Sequence, residues 1–298
     1  LFFSNQTTAY PILSGLVGSE MCIRDRYKNI MNAIRQILLF IAILPVSILA
    51  ESECESLIKA NQCIEAINAC TISAEANEPR AQIALSQLYS GTLYGDFRRN
   101  YKKSFKWMEA AANQGDTDAE IAMAEMYTRG EVVPMNAKKA KTWYEKGAAK
   151  GDLDGLNGLA RLYRYGSGVR KDQEKAFDYY QQASLEGHTR SQVGLGMAYR
   201  DARGVKKNLV YAYAWLLIAS SKIDDQEYKQ YRKDYEDREE NLNRDNPQCE
   251  YVLESKSFGH IFAVGYAKQM LKDLKKRLSV KQIRKSEALS EEIKLSIQ

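Results

Sequence analysis

Few residues of this chain have the types and spacing that chemistry needs. His188 and His260 are its only two histidines, far apart in sequence. That excludes a histidine-rich metal site, and a Ser-His-Asp relay would have to use one of these two. His188 occupies the position that Asp116 and Asp152 hold at a helix start, so it reads as a surface residue of the cap region without the partners of a general base. His260, in Ser-Phe-Gly-His, reads as a loop residue. Ser56-Leu57-Ile58-Lys59 has the Ser-x-x-Lys spacing of penicillin-recognising enzymes, where the lysine amine activates the hydroxyl. That chemistry also needs Ser-Asp-Asn and Lys-Thr-Gly elements, and the chain has neither. Gly166-Ser167-Gly168 is not a phosphate loop, because it follows no predicted strand and lacks a Gly-Lys-Ser/Thr. No catalytic residue, metal or cofactor is expected.

The cysteines carry more information. Beyond residue 50 there remain Cys54, Cys63, Cys70 and Cys249, an even set suited to disulfides in an oxidising compartment. If residues 52–60 and 62–75 are antiparallel helices turning near Asn61, Cys54 falls opposite Cys70, which leaves Cys63 for Cys249. Upstream, Met31 opens a secretory signal peptide over residues 31–50. Arg35 supplies its positive end, Ile37–Leu44 its apolar run, and Ala50 the small residue before cleavage. The run is shorter than the ~20 residues of a spanning helix, so no stable membrane span is expected after cleavage. Glu51-Ser52-Glu53 before Cys54 does not resemble a lipidation site. Residues 1–30 are expected to be a non-native or disordered leader, because Ser19–Arg26 resembles translated adapter sequence.

The elements that position these residues follow from an internal period. Trp107, Trp143, Tyr179 and Trp215 stand 36 residues apart. Ala111, Gly147, Ala183 and Ala219 keep the same period, as do Tyr127, Tyr163 and Tyr199. Such self-similarity marks a stack of one supersecondary unit. Each unit reads as two helices. Helix A carries small residues at i and i+3 followed by large apolar ones, as in Gly155-Leu-Asn-Gly-Leu-Ala-Arg-Leu-Tyr163, which permits close helix approach. Its starts are marked by Pro79 and by the capping-box patterns Thr117-x-x-Glu120 and Thr189-x-x-Gln192. Helix B follows Asn100, Asn136, Asp172 and Asn208, whose side chains can accept from the first free amides. It ends at Gly115, Gly151 and Gly187.

These residues resemble the Sel-one-like repeat family, a relative of the tetratricopeptide repeat. The third unit matches best, with Leu159-Ala160, Tyr163, Gly166-Ser-Gly168-Val169, Asp172, Lys175-Ala176, Tyr179, Ala183 and Gly187. The first departs at Asp96 and Ser104, and the fourth has Ile223 in place of its closing Gly. The resemblance implies an all-α fold, a right-handed α/α superhelix of helix-turn-helix repeats with helical caps. It also implies a protein-binding scaffold, often in bacterial envelopes or secretion, with no catalytic residues. The expected organisation is a capping helix pair over 51–77, four repeats over 78–224, a charged helical insertion over 225–261, and capping helices over 262–298 that begin with the seam Phe262, Tyr266, Met270, Leu274 and Leu278.

By analogy with tetratricopeptide geometry, a groove should be lined by Arg80, Gln87, Asp118, Glu125, Asn157, Arg161, Arg164, Arg190 and Arg200. Its arginine-rich end could grip carboxylates of an acidic or C-terminal peptide. A second surface is the stripe Tyr228, Tyr231 and Tyr235, set among nine acids over residues 224–245. The C-terminus is basic, from Lys268 and Lys272 through Arg284 and Lys285, which suits anionic lipid or cell-wall polymer. The net charge of +5 over the whole chain excludes a strongly basic nucleic-acid binder. The expected function is a periplasmic or secreted bacterial adaptor with a protein or peptide partner. The alternatives are a cell-wall or β-lactam hydrolase and a membrane-tethered regulator.

Overall fold

The computed structural model describes residues 46–90, 99–223, 226, 228–230, 233 and 255–297. The chain divides into residues 1–49 and 50–298. The described elements are helices: α1 Val46–Lys59, α2 Cys63–Glu75, α3 Pro79–Ser90, α4 Tyr101–Asn113, α5 Thr117–Arg129, α6 Ala137–Ala149, α7 Leu153–Tyr165, α8 Gln173–Leu185, α9 Thr189–Asp201, α10 Leu209–Ser220, α11 Ser255–Lys275 and α12 Val280–Ile297. Among the described residues no helix is long and apolar enough to cross a membrane. The expected leader, and the expected signal peptide up to residue 45, lie outside the described residues.

Helices α3 to α10 pair in sequence as A and B helices of four repeats, and each B helix packs on the next A helix. This is an α/α solenoid. The period is enforced at the ends of each helix. Asn100, Asn136 and Asp172 accept from the backbone amides of Lys103, Lys139 and Lys175, and Asn208 from those of Val210 and Tyr211. The A helices are capped one residue earlier than the capping-box reading expects. Asp116 and Asp152 are the N-caps, accepting from the amides of Ala119 and Gly155. Glu120 is consequently free for a different task. It is buried, and it receives Lys150 Nζ at 2.8 Å, which also donates to the Gly115 carbonyl at 2.8 Å. The A helices α5 and α7 close on left-handed Gly130 and Gly166, whereas α9 closes on Ala202 with φ 56°. An L side chain adopts that conformation at a cost of roughly 1 kcal/mol or more.

Close approach between layers depends on small residues. Tyr144 and Tyr180, 36 residues apart on α6 and α8, lay their rings against Gly158 and Gly194 on α7 and α9. A Cβ at Gly158 would stand 2.6 Å from Tyr144 Cζ, and one at Gly194 would stand 2.6 Å from Tyr180 Cε1. One repeat earlier the same positions hold Met108 and Ala122, in one apolar cluster.

The ends are covered as a solenoid requires. Asn61 takes a positive φ between α1 and α2, and Cys54 is disulfide-bonded to Cys70 with a Cα–Cα distance of 4.8 Å. Cys63 is also disulfide-bonded, and Cys249 lies outside the described residues. At the other end α11 packs on α9 and α10, and α12 packs on α10. Helix α12 opens with a reciprocal box, the Ser279 amide donating to Gln282 Oε1 at 3.0 Å and the Gln282 amide to Ser279 Oγ at 3.3 Å. Two expectations fail here. Helix α11 starts at Ser255, so His260 is helical and not in a loop. Gly259 lies within this helix and serves close approach: a Cβ there would lie 3.2 Å from Arg190 Nη1. The seam is also rotated. Val264, Ala267, Met270, Leu274 and Leu278 are buried, while Phe262 and Tyr266 are exposed.

Candidate functional site

The A-helix face of repeats two to four gathers the polar chemistry. Small residues on α7 and α9 let Tyr144 and Tyr180 sink until only 3% and 4% exposed, which brings their phenols up to the arginines of α7. Burial pushes both phenols above their ordinary value, because the phenolate loses its hydration. Thr128 stands by the Tyr144 hydroxyl, and Arg164 and its charge stand by the Tyr180 hydroxyl. Arg161 is exposed, and its charge acts on both phenols. Arg164 lies over the ring of Tyr165, 5.0 Å from its centroid, and Tyr165 itself is 64% exposed. Among the described residues neither Arg161 nor Arg164 makes an ion pair.

Arg200 continues this face from α9. It pairs with Asp201 at 2.6 Å, and Arg203 reaches the other carboxylate oxygen at 2.9 Å. The bond from Arg200 holds the Asp201 carboxyl below the usual range, with Arg203 and Arg164 adding to the effect. The same bond holds Arg200 above its ordinary value, and Tyr266 and Asp273 of α11 also act on it. Arg161, Arg164 and Arg200 are thus brought together around Tyr180 and Asp201. Arg80, Gln87 and Asp118 sit apart, on α3 and α5, with Arg80 and Asp118 exposed and Gln87 half-buried. Glu125 pairs with Arg129 at 3.2 Å.

Asn157 and Arg190 do not line an open face. Asn157 is 6% exposed and donates to Ser191 Oγ at 3.0 Å, because a short amide facing a small residue on the next A helix completes that contact. Arg190 pairs with Asp154, beside Gly259 of α11. The same contact holds His188, which makes no cap hydrogen bond and is not a bystander on the surface. Its Nε2 lies 2.8 Å from Asp154 Oδ1 and its Nδ1 lies 2.8 Å from Ser191 Oγ. This Ser-His-Asp array spans α7 and α9 and has hydrogen-bond geometry, yet Ser191 is 0% exposed. A nucleophile without accessible surface meets no substrate, so the array acts as a polar lock between repeats three and four. Sequence reading missed it because Ser191 stands where Ala119 and Gly155 stand, as a small packing residue.

The other candidates resolve locally. Ser56 donates to the Glu53 carbonyl at 2.9 Å, and Lys59 lies 4.0 Å from Glu55, so the two do not form a nucleophile–base pair. Tyr228 packs on Gly265 of α11 beneath Lys268, 5.0 Å from the ring centroid, while Tyr231 and Tyr235 lie outside the described residues. Among the described residues no group of three or more His, Cys, Asp or Glu could hold a metal ion.

Comparison with known proteins identifies the repeat. The Sel1 repeat model matches residues 79–116, 117–152, 153–188 and 189–224. Among solved structures, the chain is similar to a protective antigen of uropathogenic Escherichia coli strains displaying an SLR fold, at 24% identity and a TM-score of 0.56, covering 77% of this chain and 40% of that one. It is also similar to a Sel1 repeat protein from Oxalobacter formigenes, at 25% identity and a TM-score of 0.46, covering 57% of this chain and 49% of that one. The chain therefore spans less than half the length of either structure. No curated protein matches. Sel1 repeats generally mediate protein–protein interaction. Residues 79–224, about half of the chain, are four tandem Sel1 repeats.

Proposed function

We propose that this protein is a non-catalytic adaptor of the bacterial cell envelope that holds an acidic segment of a partner protein on the A-helix face of repeats two to four. The carrying observation is the pair Arg161 and Arg164 on α7, without ion-pair partners among the described residues and set beside the phenols of Tyr144 and Tyr180. Two guanidiniums one turn apart present forked donors that suit carboxylates. The surrounding acids are already engaged: Glu125 by Arg129, Asp154 by Arg190, and Asp201 by Arg200 and Arg203. The face therefore favours an anionic ligand. The Cys54–Cys70 disulfide and the expected signal peptide support an oxidising compartment.

The test is fluorescence anisotropy with a fluorescein-labelled hexaglutamate peptide on the protein from residue 51 onward. Arg161→Glu with Arg164→Glu is expected to weaken binding at least about tenfold, while Lys281→Glu with Lys285→Glu, at the start of α12, changes it less than about twofold. Equal losses from both pairs would mean diffuse charge attraction, and no loss from the first pair would remove the arginines from the site.

A further inference from the structure

The arginine face does not end in polar residues. Tyr165 at the end of α7 is 64% exposed and Tyr266 on α11 is 49% exposed. Both are tied to the arginines. Tyr165 lies under the Arg164 guanidinium, 5.0 Å from centroid to Cζ, and acts on the phenol of Tyr180. Tyr266 acts on Arg200, and Arg200 grips Asp201, on which Arg164 also acts. Tyr165, Arg164, Arg200 and Tyr266 therefore lie within electrostatic reach of one another in turn, across α7, α9 and α11. The outward setting of Tyr266 is fixed by packing, because Val264 on the same helix is buried and Ala267 and Met270 are buried against α9 and α10.

Exposed rings interleaved with arginines are what the centres of protein interfaces contain. Rings supply large contact area at small entropic cost, and guanidiniums stack on them while holding carboxylates. We infer that the partner segment carries an aromatic or leucine anchor beside its carboxylates, with the anchor seated on Tyr165 and Tyr266 and the carboxylates on Arg161 and Arg164. This rests on the acidic-segment reading above and narrows it. A purely acidic segment would use the arginines and leave both rings in water. Among the described residues Arg161 and Arg164 have no ion-pair partner while Glu125, Asp154 and Asp201 do, and this is what commits the occupant to an anionic peptide.

The experiment compares two labelled probes on the same protein: hexaglutamate, and a peptide of four glutamates interrupted by two tryptophans. The tryptophan probe is expected to bind about tenfold more tightly. Tyr165→Ala with Tyr266→Ala should remove that preference and change hexaglutamate binding less than about twofold. Both tyrosines are exposed, so circular dichroism and the unfolding midpoint should stay at their starting values. Equal affinity for the two probes, or a preference that survives the double alanine variant, overturns the anchor while leaving the carboxylate site standing. Hexaglutamate binding that ignores Arg161→Glu with Arg164→Glu overturns both readings together.

Discussion

Gly158→Ala separates packing from helix propensity at the contact beneath the proposed binding face. Alanine is the better helix former, by about 1 kcal/mol in a helix interior. On propensity alone the substitution stabilises. The structure argues the reverse. The new Cβ would stand 2.6 Å from Tyr144 Cζ, against an ordinary contact of 3.4–4 Å. Tyr144 is 3% exposed and has no open space to swing into, so the ring must withdraw by roughly 1 Å or the two helices must part. Overpacking of this kind costs about 1–3 kcal/mol, and a rigid ring places it at the upper end. The net expectation is a loss of about 1–2 kcal/mol. Urea unfolding of the protein from residue 51 onward reads it as a lower midpoint with an unchanged slope. The repeat itself supplies the rescue. Tyr144→Met in the Gly158→Ala background recreates the Met108 and Ala122 pair one repeat earlier and should recover most of the loss. Tyr144→Met alone should cost about 1–2 kcal/mol through the space it leaves. A coupling of about 2 kcal/mol between the two sites follows. A stabilised Gly158→Ala protein, or strictly additive effects, would refute the packing argument.

Three further outcomes follow from single contacts. Lys150→Met strips the buried Glu120 carboxylate of its ammonium partner and should cost about 2 kcal/mol in urea unfolding, with Lys150→Arg recovering part of it; an unchanged midpoint would show that the pair is idle. Burial raises the phenols of Tyr144 and Tyr180, so the fold holds protons that the unfolded chain releases near pH 10. That stability is fully present below about pH 10 and is lost as pH rises toward the folded values, so an alkaline melting series should fall more steeply for the native protein than for Tyr144→Phe, and parallel curves would contradict it. Ala202→Gly should raise stability by about 0.5–1 kcal/mol, because it relieves a left-handed alanine where α5 and α7 close on glycine, and a lowered midpoint would mean the strain is absent.

How far the sequence reads depends on whether a residue acts through its own helix or through a neighbour. Asn100, Asn136, Asp172 and Asn208 cap locally, and their role is visible from type and spacing alone. Asn157 reads as a groove residue and Glu120 as a capping-box partner, but each is buried by a partner more than twenty residues away, Ser191 and Lys150. His260 reads as a loop residue, yet it is helical, and Gly259 before it is the small residue that leaves room for Arg190. Tyr266 fits a four-residue apolar spacing with Met270, yet Val264 and Ala267 take the buried stripe. Where apolar residues occur on two helical faces, spacing cannot choose between them, and only the neighbouring helices decide. The arginines of α7 were legible as a cluster, but the tyrosines beneath and beside them were not.

The array of Asp154, His188 and Ser191 shows what geometry alone cannot confer. A serine hydroxyl, an imidazole and a carboxylate at hydrogen-bond distances are the parts of an acyl-transfer relay. Catalysis additionally requires that the oxygen reach a substrate carbonyl, with donors placed for the oxyanion. Ser191 is fully buried between α7 and α9, its oxygen already receives Asn157, and the Asp154 carboxylate is shared with Arg190. Each group is satisfied by a neighbour across the α7–α9 contact, which is how a polar contact in a low-dielectric layer becomes stable instead of reactive. The same residues therefore do for the third and fourth repeats what Gln82 and Gln114 do within the first, where the Gln114 amide donates to Gln82 Oε1 at 2.8 Å. In this array polar chemistry fixes helices in register, and the groups proposed for a partner are the arginines and rings that this register brings to the surface.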